Sequence, residues 1–338
     1  MFSKRLLPFL GILPLILAAC GGAPAPQATP TPLNVAASAT PASEVSPTSV
    51  VTPTPQPLPG VWLVLPQGDF PADTGLPSYV QRLAESQGWQ VTILETLPDA
   101  IAPEVRAVIA PLADDLSALA QANPNTWFIG GGAASTSRPA NLSLLDASTA
   151  SLKAQAFLAG YVAALTTDDW RIATIAPDED TLNAFRNGAV YFCGLCRPAY
   201  PPYYPYPLTV QLAPGASADQ WYSALSNLQT QGVEVVYIAP ALWTQQDVPL
   251  STLADTSLLL ISDHALEGAL EAHWLAGIAP DFQSALLAAW DGFLRDGTGE
   301  IYPVGLRVQS GAVNWISPGR QRLAEDLAAG LQSGAVLP

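Results

Sequence analysis

The chain has 338 residues and a formal net charge of −15, with only 12% of residues charged against 49% hydrophobic. That balance supplies no basic face for a phosphate backbone, so no nucleic-acid partner is expected, and no electrostatic grip on anionic lipid. Three cysteines are too few for a disulfide-dense scaffold, and two histidines with one methionine leave little material for a metal or haem site, so no cofactor is expected.

At the N-terminus, Lys4 and Arg5 precede an apolar run from Leu6 to Ala19. Such a run is short of the roughly 20 residues a spanning helix needs and fits a secretory signal peptide over residues 1–19. It ends Leu17-Ala18-Ala19-Cys20, which resembles the lipobox of bacterial lipoproteins. The resemblance implies that Cys20 is lipidated and becomes the first residue of a chain anchored to the membrane on its extracytoplasmic face. Gly21 to Pro59 then holds ten prolines and a single charge, Glu44. That composition cannot bury enough apolar surface to offset its ordering entropy, so residues 20–59 read as a disordered tether. Its Thr-Pro repeats favour extended polyproline II, which at roughly 3 Å per residue reaches up to about 100 Å from the membrane.

From Gly60 onward, apolar runs of strand length alternate with helical patterns. Strands are predicted at Val61–Leu65, Val91–Leu94, Ala107–Ala110, Thr126–Ile129, Leu142–Leu145, Arg171–Ile175, Leu208–Leu212, Glu234–Ile238, Ser257–Ile261, Tyr302–Val308 and Ala312–Ile316. Helices are predicted at Ser78–Gln87, Asp114–Ala122, Leu152–Leu165, Asp180–Tyr191, Ala218–Gln231, Phe282–Arg295 and Arg320–Gln332, with Asp180 opening one and Gly88, Gly232 and Gly297 closing others. Alternation of this kind implies βαβ units and parallel sheets, and strands apolar on both faces agree. The expected fold is α/β, with two doubly wound parallel-sheet lobes facing an interdomain cleft at the carboxyl ends of their strands. Lobe 1 is expected over residues 60–148 plus about 275–298, and lobe 2 over 149–274 plus about 299–338.

Lys153-Ala-Gln-Ala-Phe-Leu-Ala-Gly-Tyr-Val-Ala-Ala-Leu165 resembles the "FLAGYLAA" helix of the basic membrane lipoprotein family. Weaker matches follow in that family's order: Asn123 to Ile129, Asn141-Leu142-Ser143, Phe185-Arg186-Asn187-Gly188-Ala189, Val235-Val236-Tyr237, and the closing stretch from Ile316 to Pro338. The family comprises substrate-binding lipoproteins of ABC transporters with a periplasmic-binding type I fold. The resemblance therefore implies a small-molecule ligand, usually a nucleoside, and a transporter permease as partner. One departure stands out. The family's acidic "DDkSFN" loop is replaced here by Pro66-Gln67-Gly68-Asp69-Phe70-Pro71-Ala72-Asp73.

A nucleoside-like ligand needs a flat apolar clamp and acceptors for its hydroxyls. Asp69 and Phe70 follow the first strand, and Asp263 ends another; by resemblance Asp263 matches the family's ribose-binding aspartate, and a carboxylate accepts two hydroxyl hydrogen bonds well. Trp243 follows the strand at 234–238 and either stacks on a ligand or plugs the cleft. Cys193 and Cys196 close a helix, the wrong end for dipole activation of a thiol, and read as a small structural disulfide, with redox chemistry the alternative. The Tyr- and Pro-rich stretch Tyr200–Pro207 reads as a stiff connector. His264 and His273 lie nine apart and fit no compact zinc motif. No Gly-x-Ser-x-Gly elbow and no Walker lysine motif is present, and no enzymatic constellation is visible. The sequence thus favours a lipid-anchored solute-binding protein; the alternative is a ligand-sensing or protein-docking lipoprotein with a degenerate cleft.

Overall fold

The computed structural model describes residues 58–65, 75–111, 116–132, 138–243, 250–311 and 316–338. Its strands are β1 (Gly60–Val64), β2 (Gln90–Leu94), β3 (Val105–Ala110), β4 (Trp127–Gly131), β5 (Leu142–Asp146), β6 (Ile172–Ala176), β7 (Leu208–Gln211), β8 (Val235–Ile238), β9 (Leu259–Ser262), β10 (Trp274–Pro280), β11 (Ile301–Pro303) and β12 (Leu306–Ser310). Among the described residues they form two six-stranded sheets, ordered β11-β5-β4-β3-β1-β2 and β12-β10-β9-β8-β6-β7. Every pairing in the first sheet is parallel. In the second, only β12 runs antiparallel, against β10.

Strands apolar on both faces need cover on both. In β1, Val61 and Leu63 enter one apolar cluster and Val64 another, so a single five-residue strand feeds two cores. The helices supplying the cover are α1 (Leu76–Ser86), α2 (Ser117–Ala122), α3 (Leu152–Thr166), α4 (Glu179–Phe192), α5 (Ala218–Thr230), α6 (Pro240–Trp243), α7 (Leu250–Ala254), α8 (Phe282–Asp296) and α9 (Pro318–Gln332). Buried residues of α1, α3, α4, α8 and α9 join the largest cluster, which runs through both sheets, whereas α5 and α7 contribute to a separate core of the second sheet. Several helices begin at side-chain caps. Ser151, Ser217, Asp281 and Ser317 each accept a backbone N–H of their helix's first turn.

Helices α3 and α4 cross at two glycines. A methyl group on Gly160 would land on the Phe185 carbonyl oxygen, and one on Gly188 would land on the Phe157 carbonyl oxygen. Two of the motifs behind the family resemblance, at 153–165 and 185–189, are therefore the two halves of one close backbone crossing.

The chain passes between sheets three times. It leaves β5 for α3 through a 3₁₀ turn at Ser148–Ala150, leaves β10 for α8 through Asp281, and leaves β11 for β12 through Val304 and Gly305. The first and third crossings start at carboxyl ends in the first sheet, and the second starts at a carboxyl end in the second. Since Pro280 pairs with Leu306, the third also arrives at that same edge. The carboxyl edges of the two sheets therefore face each other. Backbone bonds tie the crossings together, Val304 N–H to Asp146 O at 2.8 Å and Asp281 N–H to Gly305 O at 2.8 Å.

Four details differ from the sequence reading. Tyr302–Val308 is two strands in different sheets, broken at Val304-Gly305, and Trp274–Pro280 is a strand that had no strand assigned to it. By sheet membership, residues 274–280 go with the second lobe and 301–303 with the first, so the exchange points near 275 and 298 move to 280 and 303. The cap of α4 is Asp178, whose Oδ1 accepts Thr181 N–H at 2.8 Å; Asp180 lies within the first turn and pairs with Lys153 at 2.8 Å. The strand expected at Ala312–Ile316 falls, except for Ile316, outside the described residues.

Candidate functional site

The carboxyl edge of the second sheet carries a polar and aromatic cluster. After β8 the chain turns directly into α6, and the Trp243 ring N–H donates back to Ile238 O at 3.0 Å. After β9, Ser262 Oγ donates to His264 O at 2.5 Å, which curls the chain so that Asp263 and His264 sit side by side at the strand end. Asp263 Oδ1 lies 2.6 Å from His264 Nδ1, with the two side chains 20% and 30% exposed. The Trp243 ring packs edge-on to the His264 ring at 5.2 Å between centroids. A carboxylate, an imidazole and an indole are thus clustered at one strand-end edge, all partly open to solvent.

Beneath them, Tyr237 of β8 is fully buried and its ring is stacked on Phe185 of α4 at 6.0 Å. Among the described residues its hydroxyl has no hydrogen-bond partner. Burial, and then the charge of Asp263, push that hydroxyl's pKa far upward, so Tyr237 stays a neutral phenol behind the acidic site. Thr174, its register partner on β6, likewise has an unpartnered buried hydroxyl.

Of the sequence candidates, the structure places Trp243 and Asp263 together, joined by His264. Asp69, Phe70 and Cys20 lie outside the described residues. So do the segments 66–74, 112–115 and 133–137, which follow β1, β3 and β4 in the chain. His264 entered the sequence reading only as a metal candidate. Its adjacency to Asp263 was visible, but its contact depends on the turn that Ser262 fixes. Among the described residues no group of His, Cys, Asp and Glu could hold a metal ion.

Cys193 caps the end of α4 and is disulfide-bonded to Cys196, with Cα atoms 5.4 Å apart. The connector after it is held from below by Arg171, which the chain buries just before β6. Its guanidinium donates to Asp169 Oδ2 at 2.6 Å, Gln231 O at 2.6 Å and Tyr200 O at 2.7 Å, and stacks on the Tyr200 ring at 4.7 Å. That arrangement fits a structural staple.

No family model and no curated protein matches the chain. Solved structures do. A protein described as an ABC transporter system solute-binding protein from Conexibacter woesei DSM 14684 superposes with a TM-score of 0.58 at 16% identity, covering 83% of this chain and 99% of its own. A protein described as a transcriptional activator of the comK gene from Bacillus halodurans superposes with a TM-score of 0.51 at 14% identity, covering 82% and 99%. At such identities the likeness speaks of fold alone. With its two mostly parallel sheets, helical layers and facing carboxyl edges, the chain has the two-lobed α/β fold of periplasmic-binding type I proteins.

Proposed function

We propose that the protein is a lipid-anchored, extracytoplasmic solute-binding protein that presents a small ligand to an ABC transporter permease. The observation that carries this reading is the cluster of Asp263, His264 and Trp243 at the edge where the two sheets face each other. In open α/β sheets, that edge is where ligands bind. The Conexibacter woesei neighbour, named for the same role, supports it. The motif resemblance extends it to a nucleoside-like ligand with Asp263 accepting ligand hydroxyls, Asp69 and Phe70 facing it from the first lobe, and no chemistry performed on it. The lipobox around Cys20 and the proline-rich tether support anchoring outside the cell.

Binding to the native state alone raises the melting temperature by mass action. A library of nucleosides, sugars and amino acids is expected to contain a compound that does so, with the shift lost in Asp263→Ala. An unchanged shift in that variant removes Asp263 from the site. Metabolic labelling with palmitate is expected to mark the wild-type chain and not Cys20→Ala.

A second reading has its own support. One oxygen of Asp263 is already engaged by His264, and Trp243 is pinned to its own strand. A cleft filled in this way suits a ligand-sensing or protein-docking lipoprotein, and the Bacillus halodurans neighbour carries a name unconnected with transport. No shift with any library member favours it.

A further inference from the structure

At the opposite, amino-terminal edge of the second sheet lies a cavity of about 520 Å³ that the binding reading does not use. Its walls include Asp168 from the link between α3 and β6, Gln229 from α5, Glu234 and Ser257 from just before β8 and β9, and Arg320 from the first turn of α9. A volume of this size falls within the range that holds small organic ligands.

The charges on its walls are arranged unusually. Glu234 is half-buried, and only its Oε2 is engaged, by Thr167 Oγ1 at 2.9 Å and Asp168 N–H at 3.4 Å. Among the described residues no hydrogen bond reaches Oε1. Arg320 is also half-buried, and among the described residues its guanidinium makes no ion pair. Two carboxylates and a guanidinium therefore line one cavity without closing on each other. A ligand with a single charge would satisfy one wall and leave the other facing it unpaired. A ligand with an ammonium group at one end and a carboxylate at the other would satisfy both.

We propose that this cavity is a second binding site, separate from the cleft, for a small zwitterion that places its ammonium on Glu234 and Asp168 and its carboxylate on Arg320. Since Arg320 does not reach either acid, the ligand's two charges must be set apart by a spacer.

Glycine, β-alanine, 4-aminobutyrate and 6-aminohexanoate form a graded ruler for that spacing, with butylamine and butyrate as single-charge controls. Calorimetric titration of the full chain is expected to show one or more of the four binding with Kd below about 1 mM, and both controls at least about tenfold weaker. Glu234→Gln keeps an acceptor for Thr167 and Asp168, so its fold is preserved; it and Arg320→Gln are each expected to weaken binding about tenfold or more. Binding unchanged in Asp263→Ala places the heat in this cavity. Absence of heat with all four compounds overturns the proposal, as does binding that survives both cavity substitutions or that is lost only in Asp263→Ala.

Discussion

Glu234 shows how an acidic chain handles a carboxylate it cannot fully solvate. Burial raises its pKa above the ordinary glutamate range, and the nearby Asp169 and Asp168 charges add to this against the hydrogen bonds from Thr167 and the Asp168 backbone. The native state therefore holds a proton here more tightly than the unfolded chain does. The stability this contributes is present at low pH and is lost as pH rises through the raised native value. Gln carries no titration and resembles the protonated form. Glu234→Gln is thus expected to gain stability relative to wild type as pH rises from about 4 to about 7. Urea midpoints at intervals across that range check it, and a wild-type-minus-variant difference that stays flat removes the effect. At this level the sequence was only partly legible. Asp263 could be placed at a strand end from the apolar run before it. That His264 would take one of its oxygens could not, because contact between adjacent residues depends on local backbone curvature, here set by Ser262 Oγ on His264 O.

The pairing of α3 with α4 is decided by what is absent from two residues. Neither Gly160 nor Gly188 has a positive φ, so nothing about backbone freedom demands glycine. The demand is space, since a Cβ at either position meets a carbonyl of the partner helix, and backbone cannot rotate away as a side chain can. Gly160→Ala and Gly188→Ala are each expected to destabilise by about 3 kcal/mol, at the upper end for overpacking. Gly319, in the first turn of α9 with nothing near its missing Cβ, is the control: Gly319→Ala is expected to be neutral or stabilising by up to about 1 kcal/mol. Equal effects at all three positions would mean that helix propensity, not the crossing, governs. The elements themselves were readable where hydrophobic patterning was strong, as in β1 and β3 or the capped α5. They were misread where patterning is silent. Strand β10 is punctuated by Gly277 and small alanines and ends on Pro280, so it lacks the branched apolar run of its neighbours. Within 302–308, Pro303 and Gly305 interrupt the β-forming Tyr302, Val304, Leu306 and Val308, and the buried turn at Val304-Gly305 is where the chain changes sheets. Periodicity reports which residues are apolar and does not report which sheet receives them.

Two lobes joined by three short crossings could melt separately, as domains with independent cores do. The core argues otherwise here. One apolar cluster contains Val61, Leu63 and Ile109 of the first sheet, Ile172, Tyr237 and Ile261 of the second, and Leu145, Ile278, Val304 and Leu306 at the crossings between them. Residues 55–338 accordingly form a single compact unit by their contacts. Opening either lobe alone would expose its share of that cluster and strip the burial from the crossing residues, so the cost falls on both. Thermal unfolding of the body is expected to be one transition, with calorimetric and van't Hoff enthalpies equal. Tryptophan substitution provides the local probes. Trp89 and Trp290 pack against each other in the first lobe, at 5.6 Å, while Trp221 is buried under the second sheet. Variants retaining reporters in only one lobe should give superimposable fluorescence transitions. Two resolved melts, one per reporter set, would show that the crossings behave as linkers and that the continuous cluster does not couple the lobes. A single melt has a consequence for binding: a ligand in the cleft would then raise the stability of both lobes together, and the two reporter sets should shift by the same amount.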